Sequence, residues 1–140
     1  MESLAKIERL KTLSVPRTVS DPGLRHLASS DSLESLSLDY SQVRGPGLRH
    51  LTDLPNLTQL RVHQTQLTDA GLDALGGLHS RLSRLVLSNT QISDSGLHSL
   101  HDKSNLREIH ISGTNVTATG VDALRDALPE CTIHYTPPVP

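Results

Sequence analysis

The sequence predicts an α/β solenoid in which short units, each made of one strand and one helix, stack side by side. Three observations predict it. A register of aliphatic residues recurs at a nearly constant interval, each copy contains a strand-like alternation, and each copy then shows the spacing of a helix. A unit of one strand and one helix cannot bury its apolar face alone, so neighbouring units must pack against each other.

The strand half of each unit is marked by aliphatic residues spaced as Leu-x-x-Leu-x-Leu. The clear copies are Leu33, Leu36 and Leu38; Leu57, Leu60 and Val62; Leu82, Leu85 and Leu87; and Leu106, Ile109 and Ile111. Counting a fainter first copy from Leu10, the steps between leading positions are 23, 24, 25 and 24 residues, with a last step of 25 to Cys131. The final positions of each triplet alternate with polar ones, which predicts a strand with one buried face.

The helix half begins with a Gly and an aliphatic neighbour. This pair recurs as Gly47-Leu48, Gly71-Leu72, Gly96-Leu97 and Gly120-Val121. Aliphatic residues follow the pair at helical spacing. Asp21 stands before Pro22, and Asp69 and Asp94 occupy the same place, which predicts carboxylate N-caps. Thr117 is the alternative cap in the last unit, where an Ala replaces the Asp.

A hydroxyl residue follows each triplet. These residues are Ser41, Thr65, Thr90 and Thr114. Ser and Thr hydroxyls hydrogen-bond nearby backbone groups at turns, so we expect each of them to stabilise the turn after its strand.

The combined pattern resembles the leucine-rich repeat family over about residues 10–136. It is most similar to the cysteine-containing type found beside F-boxes in ubiquitin-ligase subunits, and to similar runs in bacterial proteins, although we expect no F-box before the repeats. The resemblance implies a right-handed leucine-rich repeat solenoid. In such a short curved horseshoe, parallel strands lie on the concave face and short helices on the convex face.

The repeats divide the chain into an N-terminal piece, five repeats and a tail. The expected bounds are 1–9 for a capping helix or half repeat, 10–32, 33–56, 57–81, 82–105 and 106–130 for the repeats, and 131–140 for a terminal strand and proline-rich tail. Two interpretations of the start stay open: a helix that covers the first repeat, or a chain cut from a longer array. Prolines cannot donate to another sheet ladder, so the tail is expected to end the stack.

Composition excludes several classes of function. Hydrophobic residues make up 35% of the chain and there is no Phe or Trp, so the core is expected to be aliphatic. A net charge of −2 and a pI near 6.4 argue against nucleic acid and membrane surfaces as partners. No apolar run approaches the roughly 20 residues that cross a bilayer, and no signal-peptide layout begins the chain. With a single Cys, no internal disulfide forms, and we expect an intracellular, cytoplasmic protein.

No residue pattern predicts catalysis, a cofactor or a metal ion. His98 and His101 lie three apart on a predicted helix, and His26 and His50 occupy equivalent helix positions, but a zinc site needs three or four ligands. We therefore expect exposed histidines on the convex face. Cys131 occupies the slot of a repeat Leu, which favours buried packing over a reactive thiol. The protein is predicted not to be an enzyme.

The polar residues between the buried aliphatics are expected to face the concave side. The partner-binding set predicted there is Glu34, Asp39, Tyr40, Arg61, His63, Arg84, Val86, Arg107, Glu108 and His110. Because strands lie about 4.8 Å apart, Arg61, Arg84 and Arg107 are expected to form a positive patch together with the two histidines. Glu34 and Asp39 are expected to form an acidic patch beside it. Arg and Tyr are enriched at binding hot spots.

The predicted function is a non-catalytic protein–protein interaction module, which binds another protein through the concave strand face and the rim loops. The alternative is a structural one: a terminal segment of a larger repeat array, with possible edge-to-edge self-association, or the substrate-recognition part of a multi-subunit complex such as a ubiquitin ligase.

Overall fold

The structure is a computed structural model that describes residues 10–52, 54–77 and 81–137. Within these residues the chain forms one six-stranded parallel sheet, whose strand order β1-β2-β3-β4-β5-β6 follows the sequence. A helical segment follows each of the first five strands. The predicted α/β solenoid is therefore confirmed. The capping helix or half repeat predicted at 1–9 lies outside the described residues.

The strands are short and lie in strict register. They are β1 Thr12–Ser14, β2 Ser35–Ser37, β3 Gln59–Arg61, β4 Arg84–Val86, β5 Glu108–His110 and β6 Thr132–His134. The central residue of each strand pairs with the central residue of the next, as Leu36 does with Leu60. These central residues are buried from Leu13 to Ile109 and half-buried at Ile133. The Leu-x-x-Leu-x-Leu spacing thus places one aliphatic column inside the sheet.

The helical segments change from 3₁₀ helix to α-helix along the chain. The first two are 3₁₀ helices, Asp21–Leu27 and Pro46–Leu51. Short α-helices follow at Asp69–Asp73 and Asp94–Leu97, each continued by a 3₁₀ turn, and the last repeat has a ten-residue α-helix at Ala118–Ala127. Proline at the start of the first two segments fits a position where the missing N–H costs nothing. None of the helices in the described chain has the length and apolarity to cross a bilayer.

The core lies between the sheet and the helical segments and consists of aliphatic side chains. Leu24, Leu48 and Leu72, for example, are fully buried one repeat apart. Tyr135 packs against the edge of this core, and its hydroxyl donates a hydrogen bond to the carbonyl of Val116 at 3.2 Å. Burial of this kind stabilises by about 25 cal/mol per Å² of apolar surface, so the repeats are joined mainly by their aliphatic columns.

The predicted turn hydroxyls make the expected bonds. The hydroxyl donates to the carbonyl three residues earlier at Thr65 (3.1 Å), Thr90 (2.7 Å) and Thr114 (2.7 Å). The oxygen of Thr65 also accepts from the amide of Leu67, so one side chain closes the turn in both directions. Ser41 makes the weaker contact, accepting from Val43 at 3.5 Å.

The predicted carboxylate caps are wrong in an instructive way. Asp21, Asp69 and Asp94 are the first helical residues, and the N-cap positions before them make no side-chain cap bond. Each carboxylate instead accepts backbone amides of the following repeat: Asp21 from Arg44, Gly45 and Gly47, Asp69 from Ser93, and Asp94 from Thr117. Stacking brings those amides within reach, which a single repeat cannot reveal. In the last repeat Thr117 does cap the helix, as predicted, and accepts from Gly120 at 3.3 Å.

Candidate binding surface

The polar face of the sheet consists of two columns of side chains, one on each side of the buried central column. The first is Thr12, Ser35, Gln59, Arg84, Glu108 and Thr132, and the second is Ser14, Ser37, Arg61, Val86, His110 and His134. We call these twelve residues the concave face. Since side chains alternate along a strand, they all lie opposite the core.

The predicted positive patch does not form. Arg61 belongs to the second column, Arg84 to the first, and Arg107 precedes β5. Each guanidinium pairs with a carboxylate: Arg61 with Asp39 at 2.7 Å, Arg84 with Glu108 at 2.9 Å, and Arg107 with Glu130 at 3.4 Å. The acidic patch is divided in the same way, because Glu34 pairs with Lys11 at 3.7 Å. Opposite charges on neighbouring strands attract, so the charges of this surface alternate.

The ion pair between Asp39 and Arg61 is the most buried of these pairs, and the Asp39 carboxylate accepts hydrogen bonds from two residues. Its Oδ2 accepts from Arg61 Nε at 2.8 Å and its Oδ1 accepts from the amide of His63 at 2.9 Å. The side chain is only 14% exposed, against 42% for Arg61. Asp39 therefore links the turn after β2, where it lies, to the turn after β3, where His63 lies. It also neutralises the charge of Arg61.

The rim at the carboxyl ends of the first three strands carries a row of three neighbouring side chains. Arg17 Cζ lies 4.9 Å from the ring centroid of Tyr40, and the His63 ring meets the Tyr40 ring edge-on at 5.5 Å. Tyr40 is 48% exposed and is the one large hydrophobic residue exposed in the described part of the chain. We call Arg17, Tyr40 and His63 the rim row. Arg17 lies outside the predicted binding set.

Tyr40 also has an unusual backbone. Its φ is +63°, and the equivalent residues of the next repeats, Gln64, Asn89 and Gly113, have φ of +58°, +58° and +73°. Left-handed backbone costs an L-residue about 1–2 kcal/mol, although Gly and Asn adopt it more readily. The stack imposes this turn on Tyr40 and Gln64, whose side chains are poorly suited to it.

An open polar cleft lies along the turns of the first three repeats. Its volume is about 520 Å³, and its lining residues include Ser20, Gln42, Arg44, Gln64 and Gln66. These side chains offer hydroxyl, amide and guanidinium groups along the turns. The cleft therefore widens the polar surface available beyond the concave face.

At the other end of the sheet two histidine side chains converge on one oxygen of Glu108. Glu108 Oε1 lies 2.9 Å from His110 Nε2 and 3.2 Å from His134 Nε2. The two imidazole rings stack at 4.1 Å with an interplanar angle of 9°. The hydrogen bond with His110 holds the pKa of Glu108 below its usual range; burial opposes this effect, and the charges of Arg84, His110 and His134 add to it. His134 was missed by the sequence analysis, although the 24-residue step from His110 leads directly to it.

Two further residues, Val86 and Cys131, differ in burial from what the sequence predicts. Val86 is only 6% exposed, because it stands in register between the longer side chains of Arg61 and His110, so it offers little contact surface. Cys131 is half-buried rather than buried, since no strand lies beyond β6 in the described residues. Burial raises the pKa of its thiol, against the opposing charge of Arg107.

On the convex side the His98 and His101 rings lie 5.0 Å apart at 58°. They belong to no group of three potential metal ligands in the parts of the chain that the structure covers. His98 is exposed, as predicted for a convex-face histidine, and His101 is intermediate.

Comparisons with known proteins agree with the fold. Residues 53–76 and 102–124 match the family model described as Leucine Rich repeat. The structure is similar to a leucine-rich repeat protein of Leptospira interrogans, with a TM-score of 0.71 and 18% identity over 95% of this chain and 33% of that one. It is also similar to internalin C2 from Listeria monocytogenes, with a TM-score of 0.71 and 25% identity over 96% of this chain and 55% of that one. No curated protein matches the chain in sequence.

These findings support the fold: the chain folds as a leucine-rich repeat solenoid. It spans about a third of the Leptospira chain and just over half of internalin C2. The cysteine-containing, F-box-associated subtype is not shown by these matches and stays a prediction.

Proposed function

We propose that this protein is a non-catalytic leucine-rich repeat module that binds another protein through the concave face and the adjoining rim. The observation that carries the proposal is the rim row. Tyr40 is the exposed aromatic of the described surface, and it is held between Arg17 and His63. Tyr and Arg supply large contact area together with directional polar groups, which is why they dominate binding hot spots.

The rim row is preorganised, which supports this assignment. A guanidinium over an aromatic face is attracted by the ring quadrupole, so Arg17 restrains the Tyr40 ring before any partner arrives. Asp39 fixes the backbone of His63 from the other side. Side chains that are already ordered lose less entropy on association. The chemistry favours a partner that presents an apolar side chain to Tyr40 and a carboxylate to Arg17.

The face used for binding can be located by photo-crosslinking. A photoreactive amino acid is introduced at Gln59 in the concave face, and separately at Arg49 in the second helical segment; both residues are exposed. With cell extract, the proposal predicts one discrete crosslinked protein from position 59 and none from position 49. Crosslinking from position 49 alone, or equal crosslinking from both, would place the binding surface elsewhere.

A second function is favoured by the edge of the sheet. The outer side of β6 carries no paired strand in the described residues, and Ile133 in that strand is only half-buried. An unpaired strand edge is a template for further pairing, so the chain could act as a structural segment that docks to other repeats. Sedimentation equilibrium separates the two functions: a mass that rises with protein concentration supports docking, whereas a constant monomer mass opposes it.

A further inference from the structure

We propose that Glu108, His110 and His134 form a binding site for a divalent transition-metal ion of the zinc class, which joins β5 to β6. The inference is independent of the proposed protein-binding function. It rests on the convergence of three ligand atoms, on the chemistry of those atoms, and on the sheet register that holds them together.

The three ligand atoms lie close enough together to approach one ion. They lie within 4.8 Å of one another, and the two distances to Glu108 Oε1 are 2.9 and 3.2 Å. Zinc binds His nitrogen and carboxylate oxygen at about 2.0–2.2 Å in a tetrahedral arrangement, which separates neighbouring ligands by about 3.3 Å. Because the two imidazole rings stack nearly parallel at 4.1 Å, they must turn so that both Nε2 atoms face an ion beside Glu108 Oε1.

The ligand types suit the same ion. Imidazole nitrogen with carboxylate oxygen is a donor set for zinc and its neighbours in the transition series, whereas calcium and magnesium prefer oxygen alone. Arg84 lies 2.9 Å from Glu108 Oε2, although its Nε–H is not aligned for a hydrogen bond. That ion pair occupies the far oxygen and leaves Oε1 facing both histidines. Arg84 thus orients the ligating carboxylate of Glu108, as residues that contact the ligands of metal sites commonly do.

The sheet register supplies the preorganisation. His110 pairs directly with His134 across β5 and β6, and Glu108 stands two residues before His110 on the same face. Two short strands thus place three donors side by side without any loop. The side chains of Glu108, His110 and His134 are 35%, 26% and 46% exposed, so an ion from solvent can reach them.

The site has a structural consequence and an open coordination position. Three protein ligands leave the fourth position of a tetrahedral ion to water or to a side chain of a partner. The bound ion would hold β6, whose outer side carries no described strand, onto the rest of the solenoid. Since an ion that binds the folded state alone stabilises it, saturation should raise the temperature of unfolding.

The test uses the untagged full chain, stripped of metal with a chelator and titrated with zinc chloride by calorimetry. We expect one ion per chain, and cobalt should give the intense visible absorption of a four-coordinate site. His134→Ala removes one exposed ligand and should weaken zinc binding at least about tenfold. The double variant His98→Ala/His101→Ala removes the convex-face pair, the matched control, and should bind as tightly as the wild-type chain.

Thermal unfolding with and without zinc gives a second readout that also checks folding. The melting temperature of the wild-type chain and of the convex-face control should rise with zinc, and that of folded His134→Ala should not. The proposal is overturned if the wild-type chain shows no saturable one-to-one binding. It is equally overturned if His134→Ala binds zinc as the wild-type does, or if binding disappears in the His98→Ala/His101→Ala variant instead.

Discussion

The Asp94 carboxylate accepts a hydrogen bond from the backbone amide of Thr117 at 2.8 Å and so joins the helical segments of two consecutive repeats. The Thr117 hydroxyl donates to the other carboxylate oxygen at 2.5 Å and accepts from the amide of Gly120. Asp94 therefore orients the hydroxyl that caps the last helix. One carboxylate connects repeat stacking to helix capping.

Asp94→Ala should lower the free energy of unfolding by about 1.5–3 kcal/mol, because it removes charged hydrogen bonds and leaves the Thr117 amide without its acceptor. Asp126→Ala is the matched control, since Asp126 is exposed within the last helix and should tolerate Ala to within about 0.5 kcal/mol. Urea unfolding of both variants measures the difference. Equal midpoints would mean that the carboxylate bond contributes nothing to stacking.

Gly71 should not tolerate a methyl group, whereas Gly23 should. A Cβ on Gly71 would overlap the backbone of Gly45 in the preceding repeat, but a Cβ on Gly23 would lie 3.5 Å from Val19, an ordinary contact. We expect Gly71→Ala to cost about 2–3 kcal/mol from overpacking. Gly23→Ala should be neutral or stabilising by up to about 0.5 kcal/mol, since Ala restricts the unfolded chain.

The two glycine variants are best compared by thermal unfolding at one protein concentration. Gly23 and Gly71 occupy equivalent positions two repeats apart, so the substitution is chemically identical in each. Similar melting temperatures for the two variants would contradict the close approach of repeats at Gly71.

The positive φ of Gln64 destabilises the folded chain. Gln64→Gly should raise the free energy of unfolding by about 0.5–1 kcal/mol, because relief of the positive φ exceeds the added freedom of the unfolded chain. Gln66→Gly is the control: Gln66 is exposed nearby and is not among the residues with positive φ, so the same change should lower stability. Unfolding in guanidinium chloride measures the change in the free energy of unfolding of each variant. A loss of stability in both would show that the backbone of Gln64 is not strained.

Asp39 should matter more to stability than Glu34, although both form ion pairs. Asp39 is 14% exposed and also bonds the His63 amide, whereas Glu34 and Lys11 are 50% and 70% exposed. Asp39→Ala should cost about 1–3 kcal/mol because it removes the hydrogen bonds from Arg61 and from the His63 amide to a carboxylate that is largely buried. Glu34→Ala should change stability by less than about 0.5 kcal/mol. Urea unfolding at low salt measures the loss of unfolding free energy in each variant. Equal losses would contradict the greater contribution of the more buried ion pair.

The strands and the core could be predicted because the aliphatic register is local and repeats. Leu36 and Leu60 lie where the spacing placed them, and the Thr117 cap follows from the residue that replaces Asp in its repeat. The hydrogen bonds between the Asp carboxylates and the backbone amides of the next repeat could not be predicted in that way. Asp21 has the sequence position of a cap, but its acceptor atoms meet amides 23 to 26 residues away, which only the stacked structure brings close.

The candidate site was harder to predict for a related reason. Sequence spacing places Arg61 after Leu60 and Arg84 before Leu85, in different columns on neighbouring strands, a detail that the predicted positive patch overlooked. The pairing of these arginines with Asp39 and Glu108 required the structure. Pairing depends on which side of the central column each side chain stands. His134 is the opposite case: its place beside His110 follows from the repeat step, once the last strand is aligned with the others.

The measurement that tests the central claim most directly is calorimetric titration of the crosslinked partner, once purified, into three forms of the chain. These are the wild type, the rim variant Arg17→Ser/Tyr40→Ser and the convex-face control Arg49→Ser/His50→Ser. The account predicts at least about tenfold weaker binding, or about 1.4 kcal/mol, for the rim variant, and unchanged binding for the control. Unchanged affinity in the rim variant, or a loss confined to the convex-face control, would contradict it.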